Sequence, residues 1–308
     1  MRLSAVVPVY NGAECLERCL ESIRGSAAAG SNATLELVVV DDASTDATPR
    51  IIECFKQRFP EIVVARHETN RGLGEARNTG LAHATGEWVA WVDADDAVAP
   101  EWFARLAENV GDDVDVVTFG SRLWRGERAR ELRYRPAVCT VDALTFCCDA
   151  LRDLGTSSWM WNKMFRRSLF DGLTFSGRCQ EDFRMLPQVL ARAGKVRSIP
   201  DVLYEYYRPA GSLSRHGDRS GSVEGLKASL ELDWRAAGLP ASVQAAWLEG
   251  IALRAADYLR NSGDEPLFRR YLRRNLHRVL FDPRQSFRQK VKCLIEAVSP
   301  SPALHTGM

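Results

Sequence analysis

"GEWVAWVDADDAVAP", residues 86–100, places three carboxylates, Asp93, Asp95 and Asp96, directly behind the run Trp88-Val89-Ala90-Trp91-Val92. That run has the apolar, branched and aromatic content of a strand buried on both faces, as in a parallel sheet. Negative charges are costly to bury and repel one another at close range. Their arrival at the end of a core strand asks for a reason.

Working outward, the pattern predicts a strand over Leu3–Val9 and a helix over Ala13–Arg24 entered through Asn11-Gly12. A buried strand over Leu35–Val40 follows, then a helix over Thr48–Arg58 with Asp46 as candidate N-cap and Pro49 in its first turn. Ile62–Ala65 reads as a third strand, Gly74–Ala84 as a third helix and Glu87–Val92 as a fourth strand. Such alternation predicts an α/β, doubly wound, mostly parallel sheet, and these sheets bind ligands at the carboxyl ends of their strands. Pro8-Val9-Tyr10-Asn11, Asp41-Asp42-Ala43-Ser44-Thr45-Asp46 and Asp93-Ala94-Asp95-Asp96 all fall on that rim.

Beyond Pro100 the pattern predicts a helix over Glu101–Asn109, a strand over Asp115–Gly120 and an Arg-rich hairpin or insertion over Arg122–Arg135. An apolar segment at Trp159–Phe165 and a helix over Glu181–Ala193 come next. The Gly- and Ser-rich residues 209–224 mark the main boundary, and the chain is helical in pattern from about Val223. The expected division is a domain over 1–215, in halves 1–100 and 101–215, and a helical, basic extension over 216–308.

The 308 residues are 45% hydrophobic and 26% charged with a formal net charge of +1. This is an ordinary globular composition with no global pull toward nucleic acid. No apolar run is long enough to span a membrane, and the N-terminus reads as a first strand rather than a signal segment. None of the eight cysteines forms a CxxC, so reduced thiols and a cytoplasmic location are expected.

Asp93-Ala94-Asp95 can converge on one point where the backbone turns, which suits a hard cation such as Mg²⁺ or Mn²⁺. The plain alternative is a solvated acidic turn with Asp96 capping the next helix. Asp42, already at the rim, could accept hydrogen bonds from a nucleobase or sugar at low cost. Gly72-x-Gly74 is not a dinucleotide fingerprint, because Arg77 stands where the third glycine belongs and the motif follows the third strand. It reads instead as a Gly-rich entrance to a helix, with Arg77 available to an anion.

Taken together, "AVVPVYNG" (5–12), "VVVDDASTDAT" (38–48), "NRGLGEARNTGLAHATGEWVAWVDADD" (70–96), "WNKMF" (161–165) and "QEDF" (180–183) resemble the family 2 glycosyltransferases, of the GT-A fold. The resemblance spans roughly residues 3–215. It implies an inverting, metal-dependent transfer from a nucleotide-sugar, usually a UDP-sugar, with Mg²⁺ or Mn²⁺. The acceptor would be a saccharide or a lipid-linked molecule in surface polysaccharide or glycolipid synthesis. By the same resemblance, residues 1–100 form the nucleotide-binding half and 101–215 the acceptor-side half. Pro8, Tyr10 and Asn11 would line the nucleotide pocket, Asp42 would bind the base, and Gly72 and Arg77 lie in the segment walling it. Asp93 would face the ribose side and Asp95 would ligate the metal, with Asp93 beside it. Asp182 matches the catalytic base, with Glu181 as its alternative.

The chemistry asks for these types independently: charge on a leaving diphosphate must be offset, and a carboxylate must take the acceptor's proton. Trp159, Trp161, Asn162 and Lys163 are acceptor-side candidates, or else part of a buried strand. Arg215 and His216 lie where a loop could close on the diphosphate. Between Leu267 and Lys292 nine Arg and Lys residues face only Asp282, with apolar residues interleaved. Such a segment suits either an anionic membrane surface, here the inner face of the plasma membrane, or a solvated helix face. Two rivals remain at this point: a haloacid-dehalogenase-like phosphotransferase using the DxD, and a non-catalytic sugar-nucleotide-binding protein.

Overall fold

The computed structural model describes residues 1–27, 33–132, 137–177, 180–207, 219–230, 237–262 and 266–298. Its first part runs β1 (Arg2–Val9), α1 (Leu16–Ala27), β2 (Thr34–Asp41), α2 (Thr48–Arg58), β3 (Val63–Arg66), α3 (Leu73–His83) and β4 (Trp88–Trp91). β3, β2, β1 and β4 lie side by side and parallel, as the alternation predicts. Val9 pairs with Asp41 and Val6 with Trp91, so the acidic strand ends share one rim.

Period-two alternation sorts these strands onto two cores. Val6, Val38, Val40, Val89 and Trp91 face one side; Ala5, Val7, Val39, Ala90 and Val92 face the other, against α1 and α2. Both faces are covered, which is why the strands read as continuous apolar runs. α3 has little amphipathic pattern and docks through small residues. A Cβ at Gly80 would collide with Val6, so glycine lets the helix lie close on β1.

The second part is mixed. β5 (Ala97–Val98), α4 (Trp102–Glu108), β6 (Val116–Arg125), β7 (Arg128–Leu132), β8 (Cys139–Asp142), α5 (Ala143–Leu151), β9 (Lys163–Arg166), α6 (Glu181–Leu190) and β10 (Lys195–Tyr207) extend the sheet in the order β4-β9-β6-β10-β5. β9 enters antiparallel to both β4 and β6, and β6–β7 form the predicted Arg-rich hairpin. The apolar segment predicted over Trp159–Phe165 becomes strand only from Lys163. Asp46 is not the N-cap of α2: Ala47 holds that position, and Asp46 instead accepts from the N–H of Thr48 (2.9 Å) and of Ala13 (3.1 Å).

Among the described residues four helices close the fold: α7 (Arg219–Leu230), α8 (Ala241–Ser262), α9 (Pro266–Phe281) and α10 (Phe287–Val298). The predicted boundary lies largely outside the described residues. The helices after it share a core with α5 and α6. Phe183 stacks on Trp247 with ring centroids 4.2 Å apart, and Arg152 bonds Glu249 at 2.8 Å. The cysteines among the described residues are free thiols.

Candidate active site

The turn after β4 separates its three aspartates. Asp96 points inward with no exposed surface, and its Oδ1 accepts from the N–H of Tyr207 at 2.8 Å. It does not cap α4; it fastens the end of β10 to the turn. Burial pushes its pKa well above the usual carboxylate range, with Asp95 and Asp93 adding to the rise. Asp93 and Asp95 stay half-buried at the rim. The N–H of Asp93 donates to the Tyr204 hydroxyl at 3.0 Å, and Arg18 of α1 donates to the carbonyl of Asp95. These contacts fix the backbone that presents the pair.

Arg77 on α3 joins this turn to the start of α6. Its side chain is 1% exposed and lies 3.3 Å from Asp93 Oδ1 and 2.8 Å from Glu181 Oε1, with a close contact to Asp182 Oδ1. Arg77, read from the sequence as available to an anion, is surrounded here by three carboxylates of the chain. One cation among three carboxylates leaves excess negative charge. Burial pushes Glu181 up to about 7, against the pull of Arg77 and with Asp182 adding to the rise. Burial likewise pushes Asp93 up to about 6.

Glu181 thus holds a proton in the folded protein, between about pH 4.5 and 7, that the unfolded chain has released. Stability is full below that interval and falls as pH rises through it. In Glu181→Gln this decline should flatten. Denaturant midpoints measured across pH 4.5 to 7 without divalent cations would check it, and equal slopes in both proteins would refute the assignment.

Asp182 opens α6, where a carboxylate is favoured by the helix dipole. Its Oδ2 accepts from the N–H of Met160 at 3.0 Å, and its side chain is 15% exposed. The turn carrying Met160 is held from behind by Lys163, whose Nζ donates to Ser157 O (2.8 Å), Trp159 O (2.6 Å) and Asn162 Oδ1 (2.8 Å). Lys163 and Asn162 have no exposed surface and Trp161 has 4%, so these three acceptor-side candidates sit behind the site rather than in it. Burial pushes Lys163 down to about 7. Trp159 alone of the four is half-buried, stacked on Trp161 at 4.8 Å.

On the other side of β1, Asn11 has φ 51°, its N–H donates to Ser44 Oγ (2.9 Å) and its Oδ1 accepts from the N–H of Thr45 (2.8 Å). Pro8 is buried and Tyr10 is 49% exposed. Asp42 is 3% exposed and its oxygens accept from the N–H groups of Arg71 and Gly72, both at 2.8 Å. Gly72 adopts φ 89° at the cap of α3, a conformation glycine reaches without strain. His67 Nδ1 lies 2.6 Å from Asp42 Oδ1, and its Nε2 meets the Thr79 hydroxyl at 2.8 Å. A carboxylate accepts, so Nδ1 carries the proton. An open cleft of about 560 Å³ lies beside this network, lined by Ala43, Ser44, Thr45, Arg66, His67 and Glu68. Arg215 and His216 lie outside the described residues.

A divalent cation fits this rim as a shared ligand. Among the described residues, no three His, Cys, Asp or Glu side chains converge to enclose an ion. The Asp95 carboxylate forms no ion pair there and faces the rim. One or two carboxylates completed by substrate phosphates is how Mg²⁺ is usually held.

The sequence profile described as Glycosyl transferase family 2 matches residues 4–180, more than half the chain. The chain belongs to that family. Its relatives include the "Succinoglycan biosynthesis protein ExoO" of Rhizobium meliloti (strain 1021), 33% identical over 68% of this chain and 62% of the relative. They also include "Glycosyltransferase GlyG" of Streptococcus pneumoniae serotype 4, 29% identical over 69% of this chain and 73% of the relative. The chain thus spans about three-fifths of the length of the ExoO relative. Among solved structures, S. aureus TarS 1-349 matches with a TM-score of 0.65 at 19% identity, covering 96% of this chain and 89% of that one. At that identity the likeness establishes the fold, which is GT-A.

Family 2 membership removes the phosphotransferase rival. Sequence reasoning had missed His67, Arg18 and Tyr204. His67 follows β3 on the same rim, so the strand-end rule could have found it. Arg18 and Tyr204 reach the DxD turn from α1 and β10, and no local pattern announces them.

Proposed function

We propose that this family 2 chain is an inverting glycosyltransferase. It moves a sugar from a nucleoside-diphosphate sugar, with UDP as the nucleotide, to a hydroxyl of a saccharide or lipid-linked acceptor. The process would be surface polysaccharide or glycolipid synthesis. The observation that carries this reading is the Arg77 bridge: Arg77 bonds Asp182, 105 residues further along the chain, and lies 3.3 Å from Asp93 of the DxD turn. The fold neighbour TarS has been solved in complex with UDP-GlcNAc, and a mannosyltransferase from Pyrobaculum calidifontis, 21% identical with a TM-score of 0.54, in complex with GDP-Man and Mn2+. The naming of ExoO as a succinoglycan biosynthesis protein supports the polysaccharide assignment.

In this mechanism Asp182 accepts the proton of the attacking hydroxyl, while Arg77 and the N–H of Met160 hold its two oxygens in orientation. Asp42 acts by positioning: it ties residues 71–72 and His67 around the base pocket. Asp95, with Asp93 beside it, would hold a Mg²⁺ or Mn²⁺ ion, which when bound offsets the charge on the departing diphosphate. Trp159 offers the acceptor side an aromatic face.

Calorimetric titration with UDP, GDP, CDP and uridine, each with Mn²⁺ and with chelator, tests the donor site. Metal-dependent binding of UDP but not of uridine is expected, and Asp95→Asn should weaken it by about tenfold or more. Binding of no diphosphate at all would overturn the reading, and unchanged affinity in Asp95→Asn would remove Asp95 as ligand.

A further inference from the structure

The outward faces of the last two helices carry a feature that sugar transfer leaves unused. α9 and α10 form an antiparallel hairpin. Arg269 Nη1 donates to Glu296 O at 2.7 Å and Arg273 Nε to Ala297 O at 2.6 Å, so the start of α9 lies against the end of α10. The same bonds satisfy carbonyls that the last turn of a helix leaves unpaired. Inward, Phe268, Leu272, Val279, Cys293 and Ala297 enter the common core.

Outward, α9 presents Arg270, Arg274, His277 and Phe281 on one stripe, spaced i, i+4, i+7 and i+11. α10 presents Phe287, Leu294 and Val298 on another, across the helix from buried Lys292 and Cys293. Arg288 and Lys290 flank that stripe on either side at about 100° per residue. Phe281 is 82% exposed, Phe287 83%, Val298 67% and Leu294 43%. A helix with one face already in the core normally turns polar residues to water. Five of the seven large exposed apolar side chains among the described residues fall within 281–298, which is a cluster rather than scatter.

We propose that this hairpin face docks on an anionic lipid bilayer, with Phe281 and Phe287 entering the headgroup region and Arg270, Arg274 and Arg288 pairing with lipid phosphates. Charge selects this occupant. Asp282, the one acid between Leu267 and Lys292, is 8% exposed and bonded to Arg284 at 2.7 Å. A two-fold contact with a second copy would set like-charged stripes against each other, whereas anionic headgroups attract them. No helix among the described residues is long and apolar enough to cross a membrane, so the contact is peripheral. The apolar wedge and the basic stripe are the two signals that stable surface attachment needs. Not every basic residue of the segment takes part: Arg269 (7% exposed) and Lys292 (8% exposed) turn inward, the latter to Asp257 at 2.8 Å.

Co-sedimentation of the full chain with vesicles tests this without any readout of turnover, so it stands or falls apart from the transfer reading. With vesicles of equal parts phosphatidylcholine and phosphatidylglycerol the protein should pellet, less so as salt rises. With phosphatidylcholine alone it should stay in solution. The pair Phe281→Ser and Phe287→Ser, and separately Arg270→Gln with Arg274→Gln, should each weaken binding on the order of tenfold at an unchanged melting temperature. Equal behaviour with both vesicle types overturns the proposal, as does full binding by the serine pair. So does a vesicle-free dimer that the serine pair abolishes, which would assign the face to a second copy.

Discussion

Asp182→Asn is expected to lower sugar transfer by about 10²–10⁴-fold, the usual contribution of a positioned general base, while UDP binding persists. An amide has the carboxylate's shape but cannot take the acceptor's proton. It also turns one accepting oxygen into a donor, against either Arg77 or the N–H of Met160 (3.0 Å to Oδ2 in the native protein). A moderate loss of stability is therefore expected alongside the loss of rate, and calorimetry with UDP separates the two. Retained donor binding with lost transfer is the expected pattern. Turnover close to that of the native protein would remove Asp182 as the base and turn attention to Glu181, whose Oε1 lies 2.8 Å from the same arginine.

Arg77→Met should be the most destabilising single change in the site. The side chain is 1% exposed and its guanidinium faces Asp93, Glu181 and Asp182. Although burial works against its charge, Asp182, Glu181 and Asp93 together raise its pKa. Without it, three carboxylates face one another with no cation. Breaking a buried ion pair from one side costs about 3–5 kcal/mol, a large part of a total stability of about 5–15 kcal/mol. The expected fall in melting temperature is on the order of 10 °C. Arg77→Lys keeps the charge but not the fork, so one ammonium cannot reach all three partners, and an intermediate loss is expected. A melting temperature unchanged in Arg77→Met would mean that the carboxylates take up protons at little cost, and that the bridge is not what joins the two motifs.

The order of the first four strands and three helices was legible from residues 3–92, because β1, β4 and the second half of β2 are buried on both faces and each helix is bounded by turn residues. α5 and β10 were not anticipated. Ala143–Leu151 is apolar on more than one face because α6 and α8 both cover it, which blurs its period. Lys195–Tyr207 holds Pro200 and Asp201 within the first of its register shifts, and a proline with an acid reads locally as a turn.

The sequence by itself determined the strand–helix alternation, the rim on which acidic strand ends collect, and the family, since these depend on local pattern and on motifs in fixed order. Only the tertiary structure decided what each polar residue on that rim faces. Asp93, Asp95 and Asp96 are neighbours in the chain, yet one meets Arg77, one faces the rim and one is sealed beneath Tyr207. Lys163 and Asn162 carry polar groups that could serve an acceptor, yet Lys163 turns back to the carbonyls of Ser157 and Trp159 and Asn162 to the Ser157 hydroxyl. Arg77 could have met a diphosphate, yet α6 brings two carboxylates to it from the far side of the chain. The physical reason is the same in each case. A buried charge goes to the partner that best offsets its lost hydration, and that partner is set by long-range packing, to which local sequence is blind.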